Sequence, residues 1–150
     1  MKNILLLIVF FFSLKLFASN YEVEFFFTLD ERDFDVMEFS NEITLRQFKG
    51  NANWKDNIGN YGVVECMGNH TILKSERTLL KMYCKEINKS NDNFVIMFER
   101  DSENFNVGVG KSTYIHAEGK YKDYENTKCI YAVNLFEKKG SIIKQKCKLN

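Results

Sequence analysis

The chain has 150 residues, of which 45% are hydrophobic and 27% charged, with 21 basic against 20 acidic side chains. One domain accounts for that length, and the aromatic and aliphatic content excludes a disordered chain. The near-zero charge excludes the basic excess through which nucleic acid or an anionic membrane surface is usually held.

Met1-Lys2-Asn3 opens the chain with positive charge, Ile4 to Phe12 is an unbroken apolar run, and Leu16-Phe17-Ala18 precedes the polar Ser19-Asn20. That is the order of a secretory leader, and Lys15 interrupts the run before the ~20 apolar residues of a transmembrane helix are reached. The expected organisation is a signal peptide over residues 1–18 and a single β-domain over residues 19–150, with no membrane span after cleavage. Removing Lys2 and Lys15 leaves that domain with a formal charge of −1.

Strand-like runs follow at short intervals: 21–29, 36–39, 43–49, 61–67, 77–87, 94–99, 113–117, 127–136 and 141–149. Tyr21-x-Val23-x-Phe25-x-Phe27 alternates with period two, whereas Phe94-Val95-Ile96-Met97-Phe98 is apolar on both faces. The acidic stretch Asp30, Glu31, Asp33 and Asp35 lacks the ligand order of a calcium loop and reads as a solvated turn. Residues 50–62, with three Gly and four Asn, read as a loop that carries Trp54, the single Trp of the chain, and Tyr61. Trp54 there is either a binding anchor or a plug for the end of a barrel. A second loop, 99–105, carries Arg100 and Phe105, and the two loops form a mouth if they open on one rim.

Gly108-Val109-Gly110-Lys111-Ser112-Thr113 imitates the end of a phosphate-binding loop. The complete motif needs Gly where Phe105 stands, and a helix where Tyr114-Ile115-His116-Ala117 reads as a strand. The expected structure is a glycine-rich hairpin loop. No Cys-x-x-Cys, His-x-x-x-His or Gly-x-Ser-x-Gly occurs, so no catalytic residue, metal ligand or cofactor is assigned. Tyr114 and His116 join Trp54, Tyr61, Arg100 and Phe105 as candidate ligand- or partner-binding residues.

Cys66, Cys84, Cys129 and Cys147 all fall in the exported part, and an even number in an oxidising compartment implies two disulfides. Each of the pairs Cys66–Cys84 and Cys129–Cys147 is eighteen apart. With a turn centred on Lys138, Cys129 faces Cys147 across a hairpin, and with a turn at Lys74-Ser75-Glu76 Cys66 faces Cys84. This pairing is preferred, and sheet-to-sheet pairing stays open.

Glu118-Gly119-Lys120-Tyr121-Lys122-Asp123-Tyr124 and the strand after it resemble a turn and strand of the allene oxide cyclase and dirigent families, departing where those have a second glycine, at Asp123 or Tyr124. The resemblance implies an antiparallel barrel with an interior cavity and carries no catalytic residue over. Hairpin connections and strand number also point to an all-β, up-and-down antiparallel barrel of about eight strands, calycin-like or allene-oxide-cyclase-like, with a β-sandwich as the alternative. The functional expectations are three. The first is a non-enzymatic periplasmic or secreted barrel, from a bacterium, that binds a small apolar or amphipathic ligand. The others are a protein–protein or inhibitor-like envelope module, and an enzyme without a recognisable motif.

Overall fold

A computed structural model describes residues 20–28, 34–40, 42–75, 77–87, 92–136 and 139–149. The expected leader and Asp30, Glu31 and Asp33 lie outside the described residues, as do Glu137 and Lys138 of the last hairpin. Asp35 is exposed on a strand.

The nine strands are β1 (Asn20–Phe27), β2 (Phe34–Ser40), β3 (Ile43–Asp56), β4 (Tyr61–Leu73), β5 (Thr78–Glu86), β6 (Phe94–Ser102), β7 (Val107–Ala117), β8 (Lys128–Phe136) and β9 (Gly140–Lys148). A 3-10 turn, Gly119–Tyr124, joins β7 to β8. From β3 to β9 each strand pairs antiparallel with the next, and β1 lies between β9 and β3. Eight strands therefore close into a barrel, and the ninth, β2, is an addition to it. The sandwich alternative is not what forms.

The long strand β3 makes closure possible. Its first half, Ile43 to Phe48, pairs with β2, and its second half, Ala52 to Asp56, pairs with β1. Its opposite edge pairs with β4 from Ile43 to Lys55. The expected loop at 50–62 is thus corrected: Gly50 to Asp56 is barrel wall, and the turn is confined to 57–60. Asp56 holds that turn, its Oδ1 accepting from the backbone N–H of Ile58 and of Asn60 at 3.1 and 2.7 Å. Trp54 is 2% exposed, paired in register with Phe25 on one side and Gly62 on the other.

Alternation sends every second residue inward. Both cystine bridges are among these inward positions: Cys66 bonds Cys84 and Cys129 bonds Cys147, each pair directly opposite in register, with Cα atoms 4.1 and 4.3 Å apart. The register that puts Phe136 opposite Gly140 is what aligns the second pair.

The interior is layered. At one end Trp54, Phe94, Tyr114, Tyr121 and Tyr124 form an aromatic plug, with ring centroids 5.3 Å apart for Trp54–Phe94 and 5.5 Å for Phe94–Tyr114. The 3-10 turn supplies Tyr121 and Tyr124 and so closes that end. In the middle, Gln145 accepts from the Ser112 hydroxyl at 3.0 Å and donates to the Tyr114 oxygen at 3.3 Å, so its buried amide is paired. The other end is incompletely filled.

Candidate functional site

On β6 the inward positions are Phe94, Ile96, Phe98 and Arg100. Three apolar groups fill the core, and the fourth places a guanidinium inside the open end of the barrel. Arg100 is 4% exposed. Its Nη2 donates to the Phe105 carbonyl at 2.9 Å and lies 3.5 Å from His70 Nε2. Its Nε and Nη1 have no hydrogen-bond partner among the described residues, and the buried Tyr131 hydroxyl is also unpartnered.

Two glycines create the space these side chains occupy. A Cβ on Gly108 would meet Arg100 Cδ at 3.1 Å and Nη1 at 3.2 Å, and one on Gly110 would meet the Tyr131 ring at 2.5 Å. The glycine-rich hairpin loop expected at 108–112 is therefore corrected. Gly108 and Gly110 are strand residues of β7, and their missing side chains let Arg100 from β6 and Tyr131 from β8 lie against the wall. Across the barrel, a Cβ on Gly50 would meet nothing within 4 Å, because this residue borders empty space.

That space is a cavity of about 80 Å³, open to solvent beside the exposed Thr28 and Lys49. Its walls are largely apolar: Phe27, Phe48, Leu80, Val133 and Ile143 surround the Arg100, Tyr131 and His70 groups. No carboxylate lines it among the described residues. Lys49, on the rim, is turned outward to Glu65, at 2.8 Å.

Electrostatics fix the protonation states. Burial, and then the nearby Arg100 and Arg46 cations, lower His70 to about 3. It is a neutral imidazole at physiological pH, able to accept from Arg100 and unsuited to act as a base. Burial pushes Tyr131 up to about 12, so its hydroxyl remains a neutral donor. Burial also lowers Arg100, yet a guanidinium stays protonated in proteins. An incompletely paired buried cation carries a penalty on the order of several kcal/mol, which an incoming anion would relieve. Phe105 packs against the group, its ring 4.5 Å from that of His70 and its centroid 5.2 Å from the Arg46 guanidinium.

Of the candidate residues, Arg100 and Phe105 meet at this cavity. Trp54 and Tyr114 belong to the aromatic plug at the opposite end, so the 50–62 segment reaches the cavity of Arg100 and Phe105 through Gly50 and not through Trp54. Tyr61 is 82% exposed at the start of β4. His116 would face inward with Tyr114 if β7 alternated regularly, but the register slips there: Ile96 faces Tyr114 and Val95 faces His116. This bulge at Ile115 turns His116 to the outer wall, where it lies 3.2 Å from Glu118 and 3.4 Å from Glu125. His70 and Tyr131 are the cavity residues that sequence reasoning passed over as binding candidates. Tyr131 shares the inward face of Cys129, and that parity was the available signal.

A buried acid lies near the plug. Glu86 is raised to about 7, chiefly by burial and further by Asp92, against the opposing effect of Lys120, and its Oε2 has no partner among the described residues. It flanks Gly62 together with the Trp54 indole. No group of three or more His, Cys, Asp or Glu that could hold a metal occurs among the described residues. No family model, curated protein or solved structure matches the chain.

Proposed function

We propose that the protein is an exported, periplasmic or secreted barrel that holds a small amphipathic molecule in its open end and performs no chemistry on it. The observation that carries this reading is the combination, in one cavity, of apolar walls with a buried guanidinium whose donors are not all used. Two disulfides fit an oxidising compartment, in keeping with the leader-like first eighteen residues.

The competing readings have less support. An interaction module would need the 50–62 and 99–112 segments as loops, and most of both is barrel wall. An enzyme would call for a histidine in a cleft beside a carboxylate. His70 has the cleft with cations beside it, and His116 has carboxylates on an open outer face. Native mass spectrometry of the protein purified under mild conditions tests the proposal. A retained small organic molecule, lost in Gly50→Leu, is the expected result. A mass of the bare chain, together with failure of every amphiphile offered at millimolar concentration to raise its melting temperature, would overturn it.

A further inference from the structure

We infer that the head group recognised in this cavity is a monoanionic carboxylate, held by Arg100 Nε–H and by the Tyr131 hydroxyl. This rests on the reading of the cavity as a binding site for an amphiphile and adds what that reading leaves open, the chemistry of the polar end. Arg100 is nine-tenths buried and more, and its Nη2 is already committed to the Phe105 carbonyl. Nε and Nη1 have no partner and lie on different edges of the guanidinium, Nη1 against the wall at Gly108, so Nε–H is the donor left for one carboxylate oxygen, as a charge-assisted hydrogen bond. Tyr131 adds a neutral donor to the same cavity. His70 cannot compete for the anion as a cation, because burial and then its cationic neighbours keep it unprotonated, and its Nε2 lies 3.5 Å from Arg100 Nη2.

The count of charges selects among anions. Arg100 and Lys49 are the cations that line the cavity among the described residues, and Lys49 is paired outside with Glu65; Arg46, whose Nε is also buried without a partner, stacks on the Phe105 ring and does not line the cavity. The one cation left to the cavity lining balances one negative charge, so a carboxylate is matched and a phosphate dianion leaves excess charge in apolar surroundings. Size narrows the remainder. About 80 Å³ is roughly half the ~150 Å³ void that takes up benzene. The chain of the acid is therefore short, or it leaves through the mouth at Thr28.

Calorimetric titration with hexanoate, 1-hexanol, hexylamine and hexyl phosphate, which share one tail, tests the inference. Hexanoate should bind at least about tenfold tighter than hexanol to the wild-type protein, the yield of charge-assisted hydrogen bonds. That preference should vanish in Arg100→Met, whose affinities for hexanoate and hexanol should become equal. Tyr131→Phe, which removes one hydroxyl, should narrow the preference for hexanoate over hexanol about threefold, and it carries the comparison if Arg100→Met does not fold. Equal binding of hexanoate and hexanol, or retention of the preference in the variants, overturns the carboxylate inference and leaves an amphiphile site. Tighter binding of hexyl phosphate overturns it in favour of a dianion. Binding of none of the four removes the cavity reading itself.

Discussion

Gly50 and Gly110 both point into the open end of the barrel, and the same substitution at each should have opposite effects. Neither has a backbone conformation reserved for glycine, so only space decides. At Gly50 a methyl group meets nothing within 4 Å. Gly50→Ala should therefore be neutral or stabilise by about 0.4–1 kcal/mol, through the reduced freedom of the unfolded chain. At Gly110 the methyl would sit 2.5 Å from the Glu99 carbonyl oxygen of the neighbouring strand and 2.5 Å from Tyr131 Cζ. The backbone contact cannot be relieved by rotating a side chain, so Gly110→Ala should cost about 3 kcal/mol, at the upper end of overpacking. For a domain of this size that is a fall in melting temperature of about 6–12 °C, against a rise of at most about 4 °C for Gly50→Ala. Thermal melts followed by far-ultraviolet circular dichroism, with urea midpoints alongside, measure both. Equal shifts would refute the reasoning, because they would mean that the two glycines do not differ in the space before them.

Glu86 links stability to pH. Its folded value lies above its unfolded one, so the folded state holds the proton more tightly and stability falls as pH rises from about 4.5 to 7. Glu86→Gln should then gain about 1–2 kcal/mol at about pH 8 and nothing at about pH 4, after allowance for solvent screening. An equal gain at both, in urea titrations, would contradict this. Replacing Cys66 and Cys84 together by Ala should cost about 3 kcal/mol, because the bridge closes an eighteen-residue interval. An unchanged denaturation midpoint would rule that out. Trp54 fluorescence should be resistant to acrylamide in the folded protein and become quenchable on unfolding. Free quenching of the native protein would return Trp54 to an exposed loop.

What could be read from the sequence was whatever depends on local period and symmetry. The clean alternation Tyr21-x-Val23-x-Phe25 became β1, and the equal spacing and inward parity of Cys129 and Cys147 put them opposite each other in register. What could not be read depends on partners from other strands. Glycine has two uses, a left-handed backbone or the absence of a Cβ, and at Gly108 and Gly110 the second is in force because Arg100 and Tyr131 lean across from β6 and β8. Residues 50–56 hid their alternation behind loop-like composition: Gly50, Ala52 and Trp54 face inward while Asn51, Asn53 and Lys55 face out. His116 was misplaced by a bulge, which one strand alone does not reveal. Arg100, by contrast, continues the inward series Phe94, Ile96, Phe98, so its burial was legible, although its unused donors were not.

The most direct test of a binding site centred on Arg100 at the open end is the Nε–H resonance of that residue, followed by NMR as hexanoate is added, with the Trp54 indole N–H as a probe of the plugged end. The account predicts a saturable downfield shift of the Arg100 signal while the Trp54 signal stays in place. An Arg100 signal indifferent to hexanoate, or a response confined to Trp54, would contradict it.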